Sequence, residues 1–279
     1  MAGKNPMAGT KKSLPPEMRN CKKVEDKKEE KQVLDLAMQA GRILLENGAE
    51  ISRVGETMEH ICSSFGVDSA HNFVLSNGII LTGDSYAKVR HIPVGGICME
   101  KIVAVNELSR EIEQGQWSLA EAGSRLRTID TMSDGRIPEK ILASAVGSGA
   151  FCYFFGGNIM DSLVACAAGL VYGLAAFRLL SPKLSKITRN LLGGFLLTAV
   201  CASGYLLGIG KHLNYMIIGS VMPPIPGVPF INSVRELAAG DYISGAVRML
   251  DALLAFFCIA AGVGFGILLF HQLSGGVML

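Results

Sequence analysis

The segment Met222–Asp241, MPPIPGVPFINSVRELAAGD, shapes the second half of the chain. Four of the ten prolines of the chain fall within it, at Pro223, Pro224, Pro226 and Pro229. It follows an apolar run, YMIIGSV (215–221), and continues into a segment of polar and charged side chains. Since a proline in a helix interior costs about 3 kcal/mol, the stretch predicts a helix that breaks and restarts near Pro229.

The charges of the chain are concentrated in its first half. Residues 1–140 hold 19 of the 26 Lys and Arg and 20 of the 24 Asp and Glu, although 49% of the whole chain is hydrophobic. This distribution is typical of a polar domain joined to membrane spans. We predict an α-helical integral membrane protein with an N-terminal cytoplasmic α+β domain: a disordered charged tail over 1–31, the α+β domain over 32–135, and a transmembrane domain over 136–279.

Several classes of function find no support in the composition. The net charge of +2 and the lack of a basic patch with interleaved aromatic residues argue against nucleic acid binding. The seven cysteines form no CxxC pair, so neither a metal site nor a disulfide framework is predicted. No cofactor motif and no catalytic motif such as HExxH or GxSxG is present, and the chain is predicted not to be an enzyme.

The polar half has the signals of a small α+β domain. Two amphipathic helices are predicted from Lys31, the first ending at Asn47-Gly48. Asn77-Gly78 lies among β-forming residues and predicts a hairpin within two or three short strands. Two further helices follow, and the second opens with a capping box at Ser118 and Glu121.

Three charged residues of the second helix, Glu50, Arg53 and Glu56, lie on one side of it. They have the spacing of a ligand-binding face. A solvated face or a surface for docking another protein has the same pattern, and the sequence leaves these interpretations open.

The apolar half contains about five transmembrane helices by our prediction. A helix needs about 20 apolar residues to cross the hydrocarbon core. Small residues spaced four apart, such as Gly169 and Gly173, favour close helix packing. Four spans begin at Ile141, Asp161, Leu191 and Met249, and the proline-broken segment, 215–234, is a fifth.

The loop charges predict the orientation. Lys183, Lys186 and Arg189 lie between the second and third spans, and cytoplasmic loops are enriched in such residues. We therefore predict a multi-pass protein of the bacterial inner membrane, with a cytoplasmic N-terminus and an external C-terminus.

Charged residues beyond the helix break suggest a site for a small carboxylate-bearing solute. Asn232 shares one helical side with Arg235 and Glu236, and Arg248 and Asp251 repeat the pattern. An arginine can bind a carboxylate, and an acid can carry a proton. The same charges would also suit residues that anchor the spans at the cytoplasmic surface, and the spacing does not separate the two.

Two end motifs of the chain are similar to those of the threonine/serine exporter family, which includes the YjjP-type proteins. The first is GRILLENGAEISRVGETMEHICSSFGV (41–67), and the second is PGVPFINSVRELAAGDYISGAVRMLDALLAF (226–256). The stretch GICMEKIVAVNELSREIEQGQWSLAEA (96–122) fits as well. Two positions depart from the pattern: Gly55 stands where an acid is expected, and Asp251 where glutamate is usual.

The spacing and the matched positions together predict the residues of the site. The positions that match the family's motifs are Gly41, Gly48, Ala49, Glu50, Arg53, Val54, Pro226, Gly227, Asn232, Arg235, Glu236, Gly240, Asp241, Gly245, Arg248 and Asp251. Substrate binding is predicted for Pro226, Gly227, Asn232, Arg235 and Arg248. Proton or ion coupling is predicted for Glu236, Asp241 and Asp251.

The resemblance implies ion-gradient-driven export of threonine and serine, or of a dicarboxylate such as succinate, from the bacterial cytoplasm. Full-length exporters of the family carry a second block of spans, so the chain is expected to need a small separate membrane subunit and to form an oligomer. The alternatives are a membrane-anchored sensor or scaffold, or an enzyme acting through the cytoplasmic domain.

Overall fold

A computed structural model describes residues 27–84, 87–93, 95–133, 135–178 and 184–274. The chain divides into two compact units, with the division between Thr131 and Met132. The described residues form ten α-helices and one antiparallel sheet of three strands. The predicted basic residue Lys183 lies outside the described residues.

The first unit contains four helices and the sheet. Its elements are α1 (Lys27–Glu46), α2 (Ile51–Ser64), β1 (His71–Leu75), β2 (Gly78–Thr82), β3 (Ala87–His91), α3 (Met99–Glu113) and α4 (Leu119–Asp130). The strand order is β1-β2-β3. Apolar residues at helical spacing on α1, such as Leu34 and Met38, are fully buried with Met58 of α2 and Ile79 of β2. The core therefore joins α1, α2 and the inner face of the sheet.

The predicted hairpin and capping box are confirmed. Leu75 pairs with Gly78, so the two-residue loop consists of Ser76 and Asn77, and Gly78 already belongs to β2. At α4, the Ser118 hydroxyl accepts from the Glu121 amide, and the Glu121 carboxylate accepts from the Ser118 amide. Both features follow from local sequence, which explains why the sequence predicts them.

The helix α1 begins earlier than expected. It starts at Lys27, so residues 27–31, which we assigned to the disordered tail, are helical. Lysine and glutamate, which make up KKEEK (27–31), are good helix formers, and they extend a helix whose later turns are fixed by the core. Glu30 also accepts a hydrogen bond from the Asp84 amide (3.1 Å). Residues 1–26 of the predicted tail lie outside the described residues.

The second unit is entirely helical over its described residues. Its elements are α5 (Ile137–Phe154), α6 (Ile159–Arg178), α7 (Lys186–Leu206), α8 (Leu213–Val221), α9 (Gly227–Ala238) and α10 (Tyr242–Leu273). Cys152, Ala165, Leu197 and Met216, one residue from each of α5 to α8, share a buried cluster. The four helices therefore pack around one core.

Small residues let α5 and α6 lie in close contact. A Cβ atom added to Gly169 would come within 2.4 Å of the Ser148 hydroxyl and 2.5 Å of the Ser144 carbonyl oxygen. The Ser144 hydroxyl in turn donates to the Gly169 carbonyl (3.0 Å). Any larger side chain at position 169 would therefore separate the two helices.

Two of the described helices are long and apolar enough to cross a membrane by length and composition, namely α6 and α10. The 32 residues of α10 leave large apolar side chains exposed along its length, including Leu250, Phe257 and Leu268. Contiguous exposed apolar surface of this kind is typical of a face that contacts lipid or another protein. The helical, apolar character of this half agrees with a membrane protein, while the count of five spans remains a prediction.

The proline stretch separates α8 from α9. The first of these helices ends at Val221, and the second begins at Gly227, two residues before the predicted restart at Pro229. Proline is tolerated in the first turn of a helix because the amides there have no intrahelical partner. Pro229 therefore fits inside the first turn of α9 and does not delay its start.

Candidate functional site

The helices α9 and α10 form a hairpin with a tight turn. Gly240 has a φ of 90°, a left-handed conformation that residues with a Cβ atom rarely adopt. Asp241 follows and caps α10, because its Oδ1 accepts from the Ser244 amide (3.2 Å). The turn and the cap bring the charged residues of the two helices face to face.

An ion pair between Glu236 and Arg248 lies between these two helices. Arg248 Nη1 is 2.8 Å from Glu236 Oε1, and the side chains are only 13% and 2% exposed. Removing two charges from water costs several kcal/mol per ion, and mutual attraction recovers that cost only in good geometry. Such a pair in an apolar unit marks a candidate functional site.

Two buried serines accompany the pair, and the sequence analysis did not single them out. Ser233 lies one turn before Glu236, and its hydroxyl donates to the Phe230 carbonyl (2.6 Å). Ser244 is fully buried, and no described residue offers its hydroxyl a hydrogen bond. Both could have been found from spacing, since Ser233 shares a helical side with Glu236, and Ser244 lies three residues after the cap.

The remaining predicted binding residues have different surroundings. Arg235 is exposed, whereas Asn232 is partly buried, so α9 turns Glu236 and not Arg235 toward α10. Pro226 is partly buried at the start of α9, and Gly227 is exposed. The structure therefore brings Glu236 and Arg248 into contact and leaves Arg235 on the surface of this chain.

The start of α9 offers fewer amides to an anion than the sequence suggests. The Gly227 amide already donates to the Ile225 carbonyl (2.8 Å), and Pro229 has no amide proton. Of the first three residues of α9, only Val228 keeps an amide for a ligand. Anion recognition in this region therefore depends on side chains more than on the helix terminus.

The two predicted coupling aspartates hold structural positions. Asp241 is the cap of α10 described above, and Asp251 pairs with Lys186 of α7 at 3.0 Å. Both partners of the second pair are 57% exposed. Of the three acids predicted to couple to protons or ions, Glu236 is the one that is buried.

A second buried carboxylate lies where the α5–α6 and α7–α8 turns meet. Asp161 is fully buried, and it accepts hydrogen bonds from the amides of Asn158 (3.0 Å), Lys211 (2.6 Å) and His212 (3.2 Å). Its Oδ2 is also 2.8 Å from Nδ1 of His212, whose side chain is half exposed. The sequence places Asp161, Lys211 and His212 on the same predicted side of the membrane but does not show that they meet. Asn158, followed by Asp161 three residues later, is the local signal of a helix start.

The three charged residues predicted as a motif in the first unit have two different kinds of surroundings. Glu50 is the N-cap residue of α2, and its carboxylate accepts from the Ser52 hydroxyl (3.2 Å). Arg53 and Glu56 are exposed and line a polar groove between α2 and α3. Nearby, burial raises the pKa of the Cys62 thiol to about 12, so this cysteine is not a nucleophile at neutral pH.

No group of three or more His, Cys, Asp or Glu side chains within the described residues is placed to hold a metal ion. The candidate site instead offers charged and hydroxyl side chains. These can bind an anion through a guanidinium and exchange a proton through a carboxylate.

Comparison with known proteins identifies the class. A family model described as "Putative threonine/serine exporter" matches residues 35–270. The description is that of a class of exporters, and the apolar second unit agrees with a membrane protein of that class. The chain belongs to the threonine/serine exporter family.

Individual relatives support the same assignment. The chain is 27% identical to the "Probable succinate transporter subunit YjjP" of Escherichia coli, over 84% of this chain and 93% of the relative. It is 25% identical to the protein of the same name from Klebsiella aerogenes, over 85% and 94%. It is 24% identical to the "Threonine/serine exporter" of Corynebacterium glutamicum, over 84% of this chain and 50% of the relative. No solved structure matches the chain.

Proposed function

We propose that the chain is one subunit of a secondary exporter that moves small carboxylate-bearing metabolites out of the bacterial cytoplasm, driven by an ion gradient. The solute is threonine or serine, or a dicarboxylate such as succinate. The relatives support both classes, since one is named for threonine and serine and two for succinate. A carboxylate is the group that these solutes share.

The observation that carries this proposal is the buried pair of Glu236 and Arg248. In an apolar unit, Arg248 needs an anion close by, and Glu236 supplies it when no solute is bound. A solute carboxylate can take that place, because a guanidinium binds carboxylates in a two-pronged geometry. Asn232 and Arg235 of the same helix complete the proposed site, and Pro226 and Gly227 shape its edge.

Glu236 is the proposed coupling residue. When Arg248 turns to the solute, the carboxylate of Glu236 is left buried without its cation. That state is costly, and uptake of a proton removes the charge. Solute binding and proton binding are thus linked through one arginine, with Asp241 and Asp251 in supporting positions.

The lengths of the two short helices support a broken span. At 1.5 Å per residue, the 9 residues of α8 cover about 14 Å and the 12 residues of α9 cover about 18 Å. Together they match a hydrocarbon core of about 30 Å, with the break near its middle. Discontinuous spans are a recurring transporter design. With this span, the proposed total is five, with residues 32–135 in the cytoplasm and the C-terminus outside.

A partner subunit is part of the proposal. Two relatives that the chain covers almost completely are named as subunits of a transporter. We propose a small, separate membrane protein of the same family as the partner, in an oligomer within the inner membrane.

Efflux measurement tests the proposal. Cells that express this chain with its candidate partner are loaded with labelled threonine, serine or succinate. We expect efflux that requires both chains, falls to background in Arg248→Gln and in Arg235→Ala, and loses its pH dependence in Glu236→Gln. Arg178→Gln, at an exposed arginine outside the proposed site, is the matched control and retains efflux.

Each failure has a separate meaning. Normal efflux in Arg248→Gln would remove the site assignment and leave the exporter class standing. No efflux of any of the three solutes, with both proteins present in the membrane, would favour a sensor or scaffold.

A further inference from the structure

A polar groove of about 270 Å³ lies in the first unit, between α2 and α3. Each helix contributes residues one turn apart along a single side, and the eight lining residues are Arg53, Glu56, Thr57, His60, Asn106, Ser109, Arg110 and Glu113. Thr57 and Ser109 are 7% exposed, so two hydroxyl-bearing side chains form its floor. The volume suits a small metabolite rather than a macromolecule.

The walls of the groove carry charges of both signs. Arg53 and Arg110 supply two guanidinium groups, and Glu56 and Glu113 supply two carboxylates. Within the part of the chain that the structure describes, no ion pair involves Arg53, Arg110 or Glu56, whereas Glu113 lies 3.7 Å from His60. Two cations and one acid are therefore available to a ligand, with His60 and Glu113 in contact beside them.

We infer that this groove binds a zwitterionic α-amino acid. A guanidinium binds the α-carboxylate, and Glu56 binds the α-ammonium group, while the floor hydroxyls suit a polar side chain. A dicarboxylate could pair with both arginines but would leave Glu56 without a cation, whereas a zwitterion satisfies an arginine and Glu56 together. A simple amine would bind less well than a zwitterion, because it could pair with Glu56 but would leave both arginines without an anion.

This site is distinct from the proposed transport site, which is built from α9 and α10 of the other unit. Occupancy of the groove would then regulate the exporter according to the concentration of the amino acid. Only this regulatory meaning rests on the proposed function, since binding itself can be measured without transport.

The experiment uses the full chain carrying Glu236→Leu with Arg248→Met, so that the proposed transport site contributes no signal and no buried charge is left without its partner. L-threonine is titrated by calorimetry, beside 3-hydroxybutyrate, which lacks the ammonium group, 1-amino-2-propanol, which lacks the carboxylate, and succinate. Binding of threonine alone is expected. Thermal unfolding followed by Trp117, the only tryptophan of the chain, reports selectively on the first unit and should shift upward with threonine.

Matched variants assign the site. Arg53→Gln and Glu56→Gln are each expected to weaken threonine binding about tenfold, the effect of one charge-assisted hydrogen bond. Arg125→Gln and Glu107→Gln, exposed residues of the same unit outside the groove, should leave it unchanged. Equal affinity for succinate, no heat with threonine, or full binding in Arg53→Gln would each overturn the inference.

Discussion

Two ion pairs of the second unit differ in how much they affect the free energy of unfolding. Glu236 and Arg248 are 2% and 13% exposed, whereas Lys186 and Asp251 are both 57% exposed. Water screens the exposed pair, which is worth about 0–1 kcal/mol. The buried pair is costly to form, and it becomes more costly still if either partner is removed alone.

We therefore predict that Arg248→Ala lowers the free energy of unfolding by roughly 3–5 kcal/mol, the cost of leaving a buried carboxylate without its cation. The double variant Glu236→Leu with Arg248→Met should recover most of this loss, because the uncompensated charge is gone. Chemical unfolding of the purified protein in detergent measures both. Lys186→Ala is the control, with an expected loss of less than about 1 kcal/mol.

A loss in Arg248→Ala no larger than that in Lys186→Ala would contradict the burial of the pair. A double variant as unstable as the single one would show that packing, and not charge, is what Arg248 supplies.

Local signals in the sequence predict where helices and strands begin and end. The proline stretch, the residues around Asn77 and the capping box at Ser118 all act through their immediate neighbours. The hairpin and the capping box are found where expected, and the helix breaks in the proline stretch but restarts two residues earlier than predicted. Asn47-Gly48 is also correct as a stop, since α1 ends at Glu46 and Gly48 has a φ of 84°. These features need no knowledge of the rest of the chain.

The capping box of α4 gives a prediction with a defined pH dependence. Hydrogen bonds from the Ser118 hydroxyl and amide lower the pKa of Glu121, so the ionised box favours the folded state. Its stabilisation is present above the ordinary glutamate pKa and is lost as the pH falls through the lowered value. Ser118→Ala should cost about 1 kcal/mol at pH 7 and less in acid.

Trp117 lies beside the box, and its fluorescence can follow unfolding of the first unit at neutral pH and near pH 3. Ser124→Ala, a change in the interior of α4, serves as the control and should show little pH dependence. An equal cost of Ser118→Ala at both pH values would mean that Glu121 plays no part in the cap.

Contacts between segments that lie far apart in the chain could not be predicted from the sequence. Helical spacing places Asn232, Arg235 and Glu236 on roughly one side, but which of them faces α10 depends on how the hairpin closes. The partner of Asp251 is Lys186, 65 residues earlier, and no spacing rule connects the two. The candidate site was therefore predicted as a set of residues, and the contact that organises it comes from packing.

The second unit has two polar ends. At one end, Asp161 and His212 connect the α5–α6 turn to the α7–α8 turn. At the other end, Lys186 at the start of α7 pairs with Asp251 in the first third of α10. We propose that the helices alternate in direction between these ends, as in a multi-pass bundle. The loop charges predict which end lies in the cytoplasm.

Thiol labelling in intact cells tests that orientation. In a background whose natural cysteines are replaced by alanine, Lys211→Cys should react with a membrane-impermeant maleimide added outside. Leu184→Cys should react only after the cells are permeabilised. The reverse pattern would invert the proposed topology, and labelling of both positions from outside would refute a sealed multi-pass arrangement.

The contacts of Asp161 have a consequence for biosynthesis. Its partners Lys211 and His212 lie 50 and 51 residues later in the chain. At 5–20 residues per second, a ribosome needs roughly 3–10 seconds to supply them. During that interval the nascent α5–α6 hairpin holds a carboxylate whose only completed partner is the neighbouring Asn158. The hydrogen bonds around Asp161 are therefore complete only when the turn after α7 has been translated.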